Sequence, residues 1–507
     1  MKIVIIGSGV AGLTAGAYLA QAGHEVTILE QNQRPGGVTA PFERDGYRWD
    51  LGQLLVEGLG PDEPLGLVLA DLGVANQVRL VKDDRGYVFP DFAIKNPKDY
   101  QGIDWRMKQL AQRFPEDRQG LARYWRDYLR FTRLMTFARR ADNTAGLENT
   151  YWKIRLYLSL LPFLRRLKWN AQQFMDSYFS TRQLQCVFIS ILADFFTPPS
   201  QFPGLGVFTL NAEASFEKRV PKIIAPGAET LYHYSFLGGI STLVDALAGK
   251  IEQFGGQILT EKPVTRIQVQ DGRVQGVVVG KDQQYPADVV IASGGAKETF
   301  LKLVGETLLP DEFIQKVKQQ PLMDSVFMVH LGLDFDPSEY VHGPVTYFYG
   351  TYDLEDAIIE ASQGIYHGGE KGFVVHIPSL HSPEMAPGDH HAMTIYTICP
   401  DHLAEGNWQE RKEAYADQLI GCAERYIPGL SQHVHTCHIL SPEEFRKITH
   451  LEHHAFGGLA PKMNTPRVPH QTPIQGLWFV GAQSESGGGV NSVIPAAWKV
   501  AKRIASA

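Results

Sequence analysis

Three glycines near the start of this 507-residue chain, Gly7, Gly9 and Gly12, stand at the spacing that lets a backbone hold a phosphate. In G-x-G-x-x-G the first glycine permits a tight turn and the second lets main-chain N–H groups approach a diphosphate. The third lets the following helix pack close to its strand. Ser8, Val10 and Ala11 belong to the same loop and are candidates for the same contacts. Eighteen residues past Gly12 comes Glu30, followed by Gln31. A carboxylate so placed accepts hydrogen bonds from a ribose diol. These residue types at this spacing suit a dinucleotide, gripped at its phosphates and at one sugar.

Such a site needs particular elements behind it. Lys2 to Ile6 is apolar and β-branched, which predicts a strand, and Leu13 to Gly23 has helical apolar spacing. Glu25 to Leu29 predicts a second strand that ends on Glu30. A lone G-x-G-x-x-G is weak; strand, turn, helix, strand and acid in order make it a dinucleotide site. The helix start adds unpaired N–H groups and a positive dipole end. Residues 3 to 23 carry no charge, but five glycines among them and no small-residue cleavage site argue against a signal peptide or a membrane span. Arg34-Pro35-Gly36-Gly37, close behind the acid, points to FAD rather than NAD.

Length predicts two or three domains. Apolar content of 44% and charged content of 20% are ordinary for a soluble globular chain, and the net charge of −7 excludes nucleic acid as the main partner. The four cysteines, Cys186, Cys399, Cys422 and Cys437, form no C-x-x-C pair. That excludes a redox-disulfide reductase and a four-thiolate zinc site, and fits a reducing compartment. His433, His435 and His438, then His450, His453 and His454, have no carboxylates arranged to complete a metal cage, so they read as surface or packing residues. No apolar run is long enough for a transmembrane helix. The expectation is a cytoplasmic chain whose membrane contact is peripheral.

Along the chain, Phe42 to Gly52 predicts a hairpin turning at Asp45-Gly46, with Asp50-x-Gly52 returning beside the cofactor. Residues 61 to 73 read as a helix, and 74 to 100 as strands and turns. Residues 101 to 200 are helical, aromatic and basic. Between 121 and 170, eleven Lys/Arg face only Asp127, Asp142 and Glu148. Arg123, Arg126, Arg130 and Arg133 share one helical face, with Trp125, Tyr128 and Met135 on another. Two readings stand side by side: docking on an anionic membrane, or a solvated Arg face on a buried helical cap. Gln183 to Ala193 is uncharged and suits a buried helix or the wall of an apolar pocket. The α/β pattern resumes near Pro221. Strands at Gln257–Leu259, Val264–Gln270 and Val274–Val279 make a meander, and Ala287–Ala292 rejoins the first sheet. Strands at Ser325–Leu333, Thr346–Tyr349, Gly372–Ile377 and Ala392–Ile398 predict a second sheet, a floor for a substrate cavity, and Trp408–Tyr426 predicts a helix. In the tail, Gly476–Ala482 is a strand entering a turn. Gly487-Gly488-Gly489 and a last helix, Val493–Ile504, follow; that helix start suits the electron-rich edge of a flavin ring.

The segments GSGVAGLTAGAYLAQAGHEVTILEQNQRPGG, FLGGISTLVDALAGKIEQFGGQI, SPEMAPGDHHAMTIYT and TPIQGLWFVGAQSESGGGV together resemble the phytoene desaturase and carotenoid isomerase family of FAD-dependent oxidoreductases. The resemblance spans nearly the whole chain. It implies an α/β fold: a discontinuous FAD-binding Rossmann-like domain with a mixed-sheet substrate domain and a membrane-docking helical cap. The corresponding division is 1–75, 221–300 and 441–507 for the FAD-binding domain, 76–220 for the helical cap and part of the substrate domain, with the membrane contact, and 301–440 for the rest of the substrate domain, sheet plus helices. It also implies that Gly7, Gly9 and Gly12 hold the FAD pyrophosphate, Glu30 the adenosine ribose, and Val264 the adenine. Gly36, Gly37 and Val38 would approach the pyrophosphate and ring, and Gly481, Gly489 and Val490, with Asn491, would lie near the flavin. The chain departs from the family at Gln53-Leu54, where Pro-Thr or Pro-Ser is common, and at Ser484-Glu485-Ser486, where His-Pro is common. Glu485 is the one ionisable residue of that tail loop and a candidate to tune the flavin.

The implied reaction is desaturation or cis–trans isomerisation of a hydrophobic polyene, with no catalytic side chain identified. No second G-x-G-x-x-G is present, so a quinone or oxygen is the expected oxidant unless the reaction is redox-neutral. Two other classes stay open: a soluble amine-oxidase-like flavoenzyme on a small substrate, marked by an aromatic cage with an acidic anchor, and a non-catalytic lipid-binding protein, since GDP-dissociation inhibitors share the fold.

Overall fold

The β-branched run Lys2–Ile6 becomes the middle strand of a five-stranded sheet. In the computed structural model, which describes residues 1–52, 55–61, 63–83, 85–94, 104–211 and 232–506, the spatial order is Gln257–Leu259, Glu25–Leu29, Lys2–Ile6, Val289–Ala292, Leu477–Phe479. All neighbours run parallel. Gln53, Leu54 and Pro221 lie outside the described residues. The chain leaves the middle strand to one side and returns much later on the other. A topological switch point therefore falls between Ile6 and Ala292, and a crevice opens beyond the carboxyl ends of those strands.

Helices Val10–Gln21, Ser241–Gln253 and Val490–Ala505 cover one face, burying Ile5, Leu13, Ile28, Leu247 and Ile494 against each other. The opposite face packs Val4, Val290 and Phe479 against Val277, Phe300 and Phe313. Only the outer segments of the 257–292 stretch join the parallel sheet. Val264–Gln270, Arg273–Val279 and Gln283–Pro286 form a separate antiparallel sheet that lies on it. Val274, Val277 and Val279 give that sheet a face buried against the parallel one, the step of three between the first two falling at a β-bulge.

A second, seven-stranded sheet runs Val434–Leu440, Ser325–Leu333, His391–Cys399, Gly372–His376, Val345–Tyr349, Arg85–Val88, Ala93–Ile94. It is mixed: Val345–Tyr349 pairs antiparallel with Gly372–His376 but parallel with Arg85–Val88. Every residue of Ser325–Leu333 is buried, because both faces are covered. Phe327, Val329, Phe348 and Phe373 pack toward helix Trp408–Glu424. Alternate residues, Met328, Tyr87, Tyr347, Tyr349 and Tyr396, face a helical layer built from residues 105–210, whose interior is aromatic: Tyr124, Phe131, Phe163, Phe174, Phe188 and Phe208. The fold is thus α/β, with a discontinuous parallel-sheet layer, a mixed sheet and a helical cap.

Candidate functional site

The three opening glycines differ in what surrounds them. Gly7 has φ +90°, a turn conformation that disfavours side chains. A Cβ on Gly12 would lie 2.2 Å from the Gly7 carbonyl oxygen, so only glycine lets helix and strand approach this closely. A Cβ on Gly9 would meet no atom within 4 Å, so the floor of the crevice is open there. Ser293 Oγ, from the neighbouring strand end, donates to the Ile6 and Gly7 carbonyls at 3.0 Å each and fixes the turn. The second glycine pair closes on the first. Gly36 N donates to Ser8 O at 3.0 Å, the Gly9 and Gly36 backbones lie side by side, and Gly37, at φ +58°, comes against Gly9. The Val10 and Ala11 side chains are buried in the helix–sheet core, which leaves their backbones for a ligand. Val38 presents its carbonyl to Gly52, whose Cβ would lie 3.1 Å away.

Glu30 is 4% exposed. Its Oε2 accepts from Ser8 N at 2.9 Å and Ser8 Oγ at 2.6 Å, and its Oε1 from Asn32 N at 2.9 Å. A carboxylate offers about four lone-pair sites, so a further donor can be accommodated. The link to Ser8, which sequence reading missed, ties the acid to the phosphate loop. Gln31 is exposed beside it. Lys262 N donates to Glu30 O at 2.8 Å, which brings the strand that starts at Val264 alongside.

The tail meets the same edge. Val480 N donates to Ala292 O at 2.9 Å, and Gly481, at φ +103°, lies against Ser293. Gly489, at φ +88°, leads into helix Val490–Ala505, with Val490 buried and Asn491 exposed. Both this helix and Val10–Gln21 lack a side-chain cap and any acid in the first turn, so their leading N–H groups are available to an anion. Open floor, paired glycine loops and uncapped helix starts fit FAD. Glu485 is exposed on the tail loop, and its carboxylate accepts from His470 N at 2.8 Å, which fastens the loop to a neighbouring segment.

Polar groups that the sequence did not reveal stand in the apolar space between the mixed sheet and the cap. Asp194, one residue past the uncharged run, is largely enclosed by protein. It accepts from Tyr347 and from Tyr396 Oη at 3.4 Å, and burial pushes its carboxyl up to about 6. Tyr87 stacks on Tyr347 with ring centroids 5.6 Å apart, and the Arg85 guanidinium acts on the same group of tyrosines and on Asp194.

On the expected Arg face of helix Arg118–Asn143, Arg123, Arg126 and Arg130 are exposed and Arg133 half-buried, and two of them also reach protein groups. Arg123 donates to Tyr178 O at 3.2 Å, and Arg130 pairs with Asp127 at 3.1 Å. The next helix, Gly146–Leu160, buries no residue. Leu147 is 91% exposed, and Tyr151, Ile154, Tyr157, Leu158, Leu161 and Leu164 are exposed with it. Lys153, Arg155 and Arg165 lie among them, also exposed. Among the described residues no helix is long and apolar enough to cross a membrane. The histidines are dispersed into separate contacts: His433 with Asp334 at 2.8 Å, His438 with Asp45 at 2.9 Å, His453 with Met323 O at 2.8 Å. No metal-binding group occurs among the described residues.

The family profile for flavin containing amine oxidoreductases matches residues 10–505. The chain is 25% identical over 528 aligned residues to the chloroplastic prolycopene isomerase 2 of an Oncidium hybrid cultivar, covering 99% of this chain and 83% of that one. It is 25% identical over 514 residues to the lycopene-forming phytoene desaturase of a Paracoccus species, covering 97% and 95%. A solved oxidoreductase from Methanosarcina mazei shares the fold, with a TM-score of 0.64 at 19% identity, covering 99% of this chain and all of that one.

Proposed function

This chain belongs to the family of flavin-containing amine oxidoreductases and is an FAD-dependent oxidoreductase, and from that premise we propose that it desaturates or isomerises a hydrophobic polyene of the carotenoid kind. Gly7 to Gly12 hold the FAD diphosphate, Glu30 and Gln31 the ribose, and Val264 the adenine. Gly36, Gly37, Val38, Gly481, Gly489, Val490 and Asn491 border the pyrophosphate and ring. When bound, FAD supplies the hydride acceptor, or in its reduced form a redox-neutral route; the protein orients the substrate and excludes water. Residues 1–75, 221–300 and 441–507 form the FAD-binding domain in this reading, 76–220 the helical cap and part of the substrate domain, and 301–440 the rest of the substrate domain. A quinone or oxygen reoxidises the flavin where the reaction is oxidative.

One observation carries the substrate assignment: the sheet face turned toward the cap, and the cap side that packs on it, are apolar and aromatic. Relatives named for prolycopene isomerisation and phytoene desaturation support it. The exposed apolar ridge of the cap, flanked by Lys153, Arg155 and Arg165, suits peripheral docking on an anionic bilayer where such substrates dissolve. Incubating the FAD-loaded protein with a panel of carotenes, with and without quinone, should convert at least one of them, read by chromatography. Conversion of none while FAD stays bound would remove the polyene reading.

A second reading has an observation of its own. Asp194 among Tyr87, Tyr347, Tyr349 and Tyr396 is an acid in an aromatic surround, which would suit an amine. Arg85 weighs against it: its guanidinium lies by the same tyrosines, and a cationic substrate would meet a like charge. Primary amines included in the same panel separate the two.

A further inference from the structure

A small cavity of about 10 Å³ lies between Asp50, Ser235, His376 and His381, among apolar and proline side chains. That is the room one water molecule needs, provided it finds two to four polar partners. The partners are present. Asp50 is 6% exposed, and its Oδ1 accepts from Ile240 N at 3.1 Å. His376 is 3% exposed, and its Nδ1 has no hydrogen-bond partner in the protein. A buried ring nitrogen in that state calls for a water. On the far side His381 Nε2 lies 2.9 Å from Asp83 Oδ2, to which Ser235 Oγ also donates at 2.9 Å. The His381 side chain is 27% exposed and reaches solvent.

The Asp50 end points the other way along the fold. In the hairpin register Asp50 faces Pro41, four residues past Gly37, and two residues later Gly52 lies against the Val38 carbonyl. The strand that carries Asp50 therefore runs on beside the glycine loops of the flavin crevice, and His381 reaches the surface.

We propose that Asp50, His376 and His381 hold one water between them, and that this series carries a proton between the flavin crevice and solvent. The assignment rests on the flavin reading above. Desaturation breaks two C–H bonds. One hydrogen leaves with its electron pair and reduces FAD. The other leaves as a proton, its bonding pair becoming the new π bond; the Asp50 carboxylate takes it, forming an O–H bond. That proton passes to the water and out through the His381–Asp83 pair, which restores the carboxylate. The groups in reach suit these roles. Burial pushes the Asp50 carboxyl up to about 6, against the Ile240 N–H and the Arg48 charge. Burial holds His376 down to about 4, so its ring stays neutral and anchors the water rather than taking the charge. The ionisable groups facing the cavity are Arg48 on Asp50's own strand, His376 with His330 behind it on the mixed sheet, and the His381–Asp83 pair.

Two measurements test this. In protein labelled with 13C-aspartate, subtracting the infrared pH-difference spectrum of Asp50→Asn from that of the parent cancels Asp194 and the exposed aspartates and should leave one protonated-carboxyl C=O band that titrates near pH 6; a remaining band that titrates near pH 4, or none at all, overturns the assignment. This measurement needs neither flavin nor substrate, so it stands apart from failure of the FAD reading, which would appear as no flavin absorbance in protein loaded with FAD. In the loaded enzyme, flavin reduction by a polyene should speed up as pH rises through about 6, because the base must be ionised. Asp50→Asn should retain FAD but slow that reduction on the order of a hundredfold and flatten the profile. His381→Gln should delay proton release, followed with an indicator dye, relative to flavin reduction. Release that keeps pace with reduction in His381→Gln, or an unchanged pH profile in Asp50→Asn, rejects the relay.

Discussion

A methyl group added at Gly12 would come 2.2 Å from the Gly7 carbonyl oxygen, whereas one added at Gly9 would meet no protein atom within 4 Å. The two positions therefore separate folding from ligand binding. Gly12→Ala forces helix and strand apart and should destabilise the chain by about 1–3 kcal/mol, the usual cost of overpacking. Gly9 has φ −61°, which alanine adopts freely. Gly9→Ala should leave stability without ligand within about 0.5 kcal/mol of the parent, while weakening FAD binding more than about tenfold, because the methyl occupies the space the diphosphate needs. Denaturant melts with and without FAD, beside a flavin titration, read both effects; equal affinity for Gly9→Ala would place the diphosphate elsewhere. At this scale the turn at Gly7, the close approach at Gly12 and the place of Glu30 at the strand end were legible, because a strand–turn–helix–strand unit of this kind demands particular residues at particular spacings. Ser8 as a partner of Glu30 was not, nor were Asp194 and the Asp50–His376 pair. Each depends on contacts between segments far apart in sequence, and no local pattern announces them.

Elements with strong periodicity were readable where one chain segment decides them. The opening strand and helix, the hairpin at Asp45-Gly46 and the helix from Trp408 all form where the pattern puts them. Two features were not readable. Arg85–Val88 joins the mixed sheet by parallel pairing with Val345–Tyr349, a partner remote in sequence, so its own alternation cannot name the sheet it enters. Within the basic, aromatic stretch 121–170 the exposed apolar side chains gather on the second helix, Gly146–Leu160, and the turn after it, which the Arg spacing of the first helix does not show. Arg123 and Arg130 reach a carbonyl and Asp127 while staying exposed, and Gly146–Leu160 leans on the preceding helix through Trp152 and Leu156 but leaves its outer apolar side chains uncovered. Substitutions that probe docking therefore belong on the later helix. Leu147→Asp combined with Ile154→Asp and Leu158→Asp should abolish co-sedimentation with phosphatidylglycerol-containing vesicles. The melting temperature should hold, because exposed side chains contribute little to folding. Neutralising Lys153 and Arg155 should weaken binding at low salt more than at high salt, since the attraction between exposed charges is screened. Co-sedimentation undiminished by the aspartates would leave the ridge without a membrane role.

Across the whole molecule, the crevice is assembled from pieces that the chain delivers at widely separated times. The loops after Ile6, Leu29, Ala292 and Phe479 meet only when the parallel sheet closes. Composition and motif order revealed that such a sheet exists, because each piece carries its own glycine signature; how the pieces abut, through Ser293 bonded to Ile6 and Gly7, is a property of the closed sheet alone. A ligand that touches all of these loops binds the closed arrangement and no open one. It must then stabilise them together, by about 2.7 kcal/mol at a hundredfold excess over its dissociation constant. FAD should accordingly raise the melting temperature and slow amide hydrogen exchange in concert over residues 7–12, 36–38 and 481–490, with the meander strand that begins at Val264 slowed through its contact with Glu30. The ridge helix 146–160, remote from those loops in the contact pattern, should exchange as before. Protection confined to residues 7–12 would mean a nucleotide held by its phosphates alone, with no ring beneath the closing glycine loop, and the enzyme would lose the part of the cofactor that does the chemistry.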